Sequence, residues 1–234
     1  MNFMKKLLIL FVLFVASSAL EAQNVQLHYD LGKTRKYLTS TVEMFKPDKW
    51  GSTFFFIDLD YGSAGNQGVS MGYFEISRGL KFWKSPFELH VEYNGGFGQF
   101  KATPFNGAYQ INDAWLFGGN YTWNTADFSK VFTLEAMYKT IRGKNAMSFQ
   151  ITGVWDVQLF KNKVTLSGFA DFWREDNKVG VSQKATNFVF LSEPQFWYNY
   201  TDHFSVGSEI EVSSNFAGHN GLMVNPTIAG KWKF

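Results

Sequence analysis

The sequence predicts an all-β chain, a membrane-spanning antiparallel up-and-down β-barrel of about 12 strands, on three observations. Apolar and polar residues alternate with a period of two in segment after segment. Aromatic side chains make up 19% of the chain, with 26 Phe and 8 Trp. A soluble core of this length rarely needs so many rings, whereas a barrel places them in two interfacial girdles. The last segment, Asn225 to Phe234, sets Phe234, Trp232, Gly230 and Ile228 on one face and Lys233, Lys231, Ala229 and Thr227 on the other. Rings on one side and ammonium groups on the other suit a wall between lipid and water.

Residues 1–22 are expected to form a secretory leader removed before folding, leaving 23–234 as a single barrel domain. Lys5 and Lys6 give the positive start, Leu7 to Ala16 the apolar run, and Ser17 to Ala22 the small-residue exit, with Ala19 as a second cleavage position. The apolar run is too short for a spanning helix, and nothing after it approaches the ~20 apolar residues that a helix needs. Any spanning structure must therefore be a closed barrel, which satisfies its own backbone in lipid. The chain has no Cys, so neither a lipid-anchored N-terminus nor a disulfide is expected. Without Lys5, Lys6 and Glu21 the charges are 22 − 2 = 20 basic and 20 − 1 = 19 acidic, a net of +1. That balance gives no case for a nucleic-acid partner.

Twelve alternating segments follow in order. The first sets Val25, Leu27, Tyr29 and Leu31 against Asn24, Gln26, His28 and Asp30, and the second runs from about Tyr37 to Phe45. The third opposes Phe55, Ile57, Leu59 and Tyr61 to Phe54, Phe56, Asp58 and Asp60. The fourth opposes Gly72, Phe74 and Ile76 to Tyr73, Glu75 and Ser77. In the fifth, Phe87, Leu89, Val91 and Tyr93 oppose Glu88, His90, Glu92 and Asn94. Segments six to eight cover Ile111 to Trp123, Lys130 to Lys139 and Ala146 to Val157. The ninth opposes Val164, Leu166, Gly168, Ala170 and Phe172 to Thr165, Ser167, Phe169, Asp171 and Trp173. The tenth, Asn187 to Tyr198, carries Pro194 near its middle, which predicts a bulge or a rim position. The eleventh opposes Phe204, Val206 and Ile210 to Ser205, Glu209 and Glu211, and the twelfth ends at Phe234.

Connection lengths supply a check. With both termini periplasmic, even-to-odd connections should be the short ones. Lys46–Gly51, Asn124–Phe128, Phe160–Asn162 and Thr201–His203 fit, and Arg78–Pro86 is a longer exception. The two longest, Gly95–Gln110 and Arg174–Thr186, are odd-to-even and would be outer loops. The glycine cluster Asn94-Gly-Gly-Phe-Gly98 reads as the turn leaving the fifth strand. A soluble lipocalin-like barrel or sandwich would alternate equally, with its apolar face inward. The terminal Phe, the ring density and the rings near segment ends (Tyr29, Tyr61, Tyr93, Trp123, Trp155, Trp197, Trp232) favour the membrane wall.

In a membrane barrel the polar face lines a lumen. It collects Asp58, Asp60, Glu75, Glu88, His90, Glu92, Glu135, Asp171, Glu193, Glu209 and Glu211, against Lys139, Lys231 and Lys233, with Arg174 near the rim. Unpaired carboxylates repel one another unless water or cations screen them. An acid-biased, water-filled channel favours cations and neutral polyols. The alternative is a polar plug, since long side chains can fill a narrow barrel. Phe54, Phe56, Tyr73, Phe169, Trp173 and Trp197 also fall inward. Rings beside carboxylates are what a site for nucleobases and ribose would use, through stacking and through acceptors for sugar hydroxyls.

The stretches Thr53-Phe-Phe-Phe-Ile-Asp58, Gly72-Tyr-Phe-Glu-Ile-Ser77 and Gly168-Phe-Ala-Asp-Phe-Trp173 resemble the Tsx-type nucleoside-specific channels of bacterial outer membranes, and more closely the shorter relatives of that group. The resemblance implies a monomeric twelve-stranded barrel in the outer membrane with a narrow nucleoside-conducting lumen. It puts Phe54, Phe56, Asp58, Glu75, Phe169, Asp171 and Trp173 on the lumen face. The mature chain, 234 − 22 = 212 residues, is shorter than that family leads one to expect, so the entrance loops and the substrate preference are not carried over.

The function expected is a passive channel for small polar solutes, nucleosides first, in contact with outer-membrane lipid. Phe54, Phe56, Tyr73, Phe169 and Trp173 would be stacking surfaces. Asp58, Glu75, Glu88, Glu92 and Asp171 would accept hydroxyl hydrogen bonds and set a cation preference. The competing reading is a plugged structural or adhesion barrel working through its outer loops, where Phe105 and Tyr109 would matter most. His203-Phe204-Ser205 has the spacing of a barrel lipid hydrolase, but it follows a periplasmic turn and has no evident third residue, so no enzyme is expected. Glu88-Leu-His90-Val-Glu92 reads as a hydrated acidic row rather than a metal site, because metal ligands usually come from several elements. No cofactor is expected.

Overall fold

The structure, a computed structural model, describes residues 23–33, 35–144 and 147–234. The leader and Ala146, the first residue of the eighth segment, lie outside them. The strands are β1 (Gln23–Asp30), β2 (Leu38–Asp48), β3 (Gly51–Tyr61), β4 (Val69–Leu80), β5 (Phe87–Phe100), β6 (Gly107–Asn124), β7 (Lys130–Ile141), β8 (Ser148–Leu159), β9 (Val164–Val179), β10 (Lys184–Ser192), β11 (Gln195–Asn199), β12 (Phe204–Ser214) and β13 (Leu222–Lys233). Each is antiparallel to its neighbours, and the sheet closes where β1 pairs with β13, setting His28 opposite Ala229 and Tyr29 opposite Ile228. At the seam the backbone N–H of Phe234 donates to the Gln23 carbonyl at 3.1 Å.

β10 and β11 are two halves of one stave. Both pair with β9 on one side and β12 on the other, so the thirteen strands make 13 − 1 = 12 staves, as the alternation predicts. The interruption is Glu193-Pro194, where proline has no N–H to give the ladder. The freed groups find partners: Glu193 N–H and the Ser192 hydroxyl both donate to the Phe169 carbonyl, and Ile210 N–H donates to the Pro194 carbonyl at 3.0 Å. Across the notch Gly168 has φ +143, and a Cβ there would lie 2.5 Å from the Glu193 carbonyl oxygen. The notch therefore depends on a glycine.

Side-chain facing decides between the two barrel types. Leu27, Tyr29, Ile76, Leu89, Trp115, Phe117, Leu134, Ile228 and Trp232 are exposed on the outside, Ile228 by 62%. Polar residues of the alternate phase, Gln26, His28, His90, Glu92, Asn94 and Lys231, are buried inside. A soluble barrel would show the reverse. Rings also pair across the outer face, with Tyr93 5.0 Å from Trp115 and Phe87 5.0 Å from Tyr121. Such aromatic pairs are worth about 0.5–1.5 kcal/mol beyond their burial.

Several boundaries differ from expectation. Asn94 to Gly98 is not an exit turn: β5 continues to Phe100, with a bulge between Asn94 and Gly96. A Cβ on Gly96 would lie 2.3 Å from the Gly72 carbonyl, so the glycines serve close strand approach rather than a turn. The connection to β6 is only residues 101–106, and Tyr109 lies within β6. The second expected loop, Arg174 to Thr186, likewise shrinks to 180–183 between extended strands. Tyr93 is consequently mid-strand rather than at a strand end. Trp197, expected both among the rings near segment ends and among those falling inward, takes the inward place and is 0% exposed.

At the end carrying both termini the connections are 49–50, 81–86, 125–129, 160–163 and 200–203. In one of them, hydrogen bonds from Thr125 and from Ser129 hold the exposed Asp127 carboxyl down at about 2. At the other end they are 31–37, 62–68, 101–106, 142–147, 180–183 and 215–221, which marks it as the outer end. Replacing Gly168→Ala should lower the yield of folded barrel, because the added methyl meets the Glu193 carbonyl in a backbone conformation that costs about 1–3 kcal/mol for other residues. The check is the heat-modifiable band on a denaturing gel after refolding; a full-strength folded band would mean that the notch widens freely.

Candidate functional site

The predicted lumen residues lie on opposite walls. In a ring of twelve staves β3 stands half a circuit from β9, so Phe54, Phe56 and Asp58 look across toward Phe169, Asp171 and Trp173. On the first wall the ring of Phe56 lies 6.0 Å from Phe54 and 5.8 Å from Tyr73, a tilted ladder continued by the Tyr73 hydroxyl, which donates to Glu75 at 2.8 Å. Asp58 accepts from the Thr41 hydroxyl on β2. Glu75, Glu92 and Asp171 lie within electrostatic reach of one another. Those three expected acceptors thus converge, although they come from β4, β5 and β9.

One ammonium group balances part of this charge. Lys139 on β7 lies 4.5 Å from the centre of the Trp173 ring and donates to Gln150 at 2.7 Å. Gln150 donates to Thr152, and Thr152 donates to Asp171 at 2.6 Å. Trp173 therefore stands between a cation on its face and the Glu175 carboxylate that accepts its indole N–H at 2.9 Å, so its stacking face is already occupied. Farther round, Glu193 and Glu209 sit within reach of Asp58 and Glu211. Glu211 is held by Arg35 at 2.7 Å from the first outer connection. Glu88 lies nearer the terminal end, within electrostatic reach of His90 and Glu135. It accepts from Ser52 at 2.8 Å and lines a recess of about 630 Å³ at the terminal end with Pro47, Trp50, Lys81 and Phe82.

Two constrictions were not anticipated. Near the outer end an apolar collar of Ala114, Leu116, Met137, Ile141, Trp173 and Val189 fills the interior, with Leu191 and Phe216 packed on it. Leu116 is 0% exposed, and Phe216, from the last outer connection, meets Trp173 edge-on at 6.1 Å. The available sign was local: in Ala114-Trp-Leu-Phe117 and Phe188-Val-Phe-Leu191 both alternation phases are apolar. At the other end Trp197 is covered by Lys231, 3.9 Å from its ring centre, and by the edge of His28 at 6.0 Å. Its indole donates to Gln195, which donates to Glu209.

The hydrolase spacing does not produce a catalytic pair. His203 bonds the Lys233 carbonyl at 2.9 Å and stacks on Trp232, whereas Ser205, buried in the lumen, donates to Asn199 at 2.7 Å.

A closed antiparallel sheet with rings outward and a polar, acid-rich wall inward is an outer-membrane β-barrel. Within that class, residues 22–234 match the family described as "Domain of unknown function (DUF5020)", and the chain belongs to it. No curated protein sequence matches the chain. Among solved structures, the NanC porin is similar with a TM-score of 0.59 at 10% identity, over 91% of this chain and 100% of that one. The KdgM porin follows at 0.48 and 11%, over 91% and 98%. Omp33 of Acinetobacter baumannii gives 0.44 and 13%, over 91% and 96%. At such identity the likeness bears on fold alone.

Removing the ammonium of Lys139 should unsettle the network it anchors. Lys139→Gln is expected to lower stability by about 2 kcal/mol, the size of a desolvated cation–π contact. The urea midpoint in lipid vesicles, followed by tryptophan fluorescence, measures it; an unchanged midpoint would mean that water replaces the ammonium without loss.

Proposed function

We propose that this barrel is a passive channel for small polar solutes, with nucleosides as the solute class its lumen suits best. The observation that carries the reading is the ladder Phe54, Phe56 and Tyr73 set beside Asp58 and Glu75, facing Phe169 and Asp171. A base stacking on such rings gains on the order of 1–3 kcal/mol in single-strand binding proteins, and ribose hydroxyls need acceptors of this kind. The Tsx-type resemblance of the three stretches supports the same choice. The carboxylate excess argues against anionic solutes and for neutral or cationic ones. Weak sites in series let a solute both enter and leave, so transport follows the gradient.

A second reading has its own support. Leu116 and Trp197 are fully covered, so a barrel held shut at both levels, with its work done by the outer connections, fits those side chains. In that reading the apolar collar excludes water and ions as a hydrophobic gate does.

Single-channel recording in planar bilayers separates the two. The channel reading expects small cation-selective steps that adenosine interrupts; a folded barrel that never conducts leaves only the closed reading. Asp58→Asn with Glu75→Gln should shift the reversal potential in a salt gradient toward zero while leaving the heat-modifiable band intact, and no shift would remove these residues from the conducting path. Phe216→Ala should raise conductance by thinning the collar. An equal conductance would place the limiting constriction elsewhere, at Trp197.

A further inference from the structure

We propose that the lumen contains a binding site for a divalent transition metal, with His90 Nδ1 and the Glu135 carboxylate as ligands and Glu92 as the residue that orients the imidazole. The ligand-type atoms of His90, Glu92 and Glu135 all lie within 4.8 Å of one another. They come from β5 and β7, two strands that do not touch in the sheet because β6 lies between them. The glutamate that completes the group is thus invisible in the Glu88-Leu-His-Val-Glu92 row.

One ring nitrogen sets this cluster apart from the other lumen carboxylates. His90 is buried, with 4% of its surface exposed. Its Nε2 lies 3.0 Å from Glu92 Oε2, while the other Glu92 oxygen accepts from Asn94 at 3.1 Å. With Glu92 accepting from Nε2–H, the neutral imidazole carries its lone pair on Nδ1. That Nδ1 is buried without a hydrogen-bond partner, and it faces Glu135 Oε1 at 3.8 Å. The separation is too long for a hydrogen bond; a proton on Nδ1 makes it an ion pair, and in the neutral ring the lone pair and the carboxylate oxygen face a gap that a metal ion can take in the proton's place. Zinc–nitrogen and zinc–oxygen bonds of about 2.0–2.2 Å add to about 4.1 Å along a straight line. A gap of 3.8 Å therefore accepts an ion at a bent angle.

The surroundings favour a cation as well. Glu88, Glu92 and Asp171 all lie within electrostatic reach of Glu135. Histidine whose second nitrogen donates to a carboxylate is the usual arrangement for a metal-bound imidazole. Nitrogen and oxygen donors together select Zn2+, Co2+, Ni2+ or Cu2+ over Ca2+ and Mg2+, which prefer oxygen alone. Water would complete the coordination, reaching the site past Glu88, which borders the terminal recess. Bound there, the ion ties β5 to β7 across β6. None of this requires the barrel to conduct.

The test is to refold the protein with Zn2+ or Co2+, remove the excess, and measure metal per folded barrel and the visible absorption of the Co2+ form. Loading during refolding makes the result independent of whether the lumen is open. The expected result is about one metal per barrel, with His90→Gln and Glu135→Gln each weakening binding about tenfold or more. His219→Asn, on an outer connection, should retain it. Wild-type protein that refolds in Zn2+ yet keeps no metal would overturn the proposal, as would equal retention by His90→Gln. Should either lumen variant fail to fold, nitrogen NMR of wild-type His90 decides: the Nδ1 resonance moves on adding Zn2+ if the site exists and stays in place if it does not.

Discussion

Everything in this molecule follows from the backbone hydrogen bond in lipid. A peptide group in hydrocarbon has no water to turn to, and leaving it unpaired costs several kcal/mol. An open sheet would strand two edges, so the first and last strands must meet, as they do from Asn24–Lys233 to Asp30–Thr227. Closure with twelve staves then fixes a narrow interior. Side chains on that interior are crowded against partners across the lumen as well as along the wall. Even the lapse in the ladder at Pro194 is repaired by the Ser192 hydroxyl and neighbouring backbone groups.

That confinement explains why the interior is a set of connected networks rather than a row of independent charges. Lys139 reaches Asp171 through Gln150 and Thr152. Arg35 from an outer connection holds Glu211, which also accepts from Ser213 and Asn225. Each carboxylate inside the wall is either bonded to a neutral donor, opposed by a cation or facing another carboxylate. The last arrangement is the costly one in low dielectric. It recurs around Glu75, Glu92 and Asp171, where the rings of the proposed solute path also stand.

The sequence disclosed what depends on alternation and little that depends on curvature. Which face of β3, β5 or β9 meets lipid is a parity question, and the parity of Asp58, Glu92 and Asp171 was readable from their neighbours. Twelve staves could be counted because proline interrupted one of them without ending it. Strand ends were less legible: glycines in Asn94–Gly98 signal either a turn or close strand approach, and only pairing with β4 and β6 tells which. Contacts across the barrel were not legible at all. Nothing in the chain brings Glu135 to His90 or Phe216 to Trp173 until the sheet curls. Trp197 fitted both an interfacial and an inward place for the same reason, since a tryptophan beside Tyr198 near a strand end suits either side of a wall.

The extension of β5 and β6 gives the outer surface an uneven skyline. At about 3.3 Å of rise per residue, the paired run from Gly96–Ile111 up to Phe100–Gly107 carries the β5–β6 ribbon past the β6–β7 pairing, which stops at Ala114–Ile141. Its tip carries Phe105, 83% exposed. That ribbon stands as a post at the outer end, laddered through Phe100–Gly107. Because the post is laddered strand rather than slack loop, it presents one shape, held by the same bonds that hold the wall.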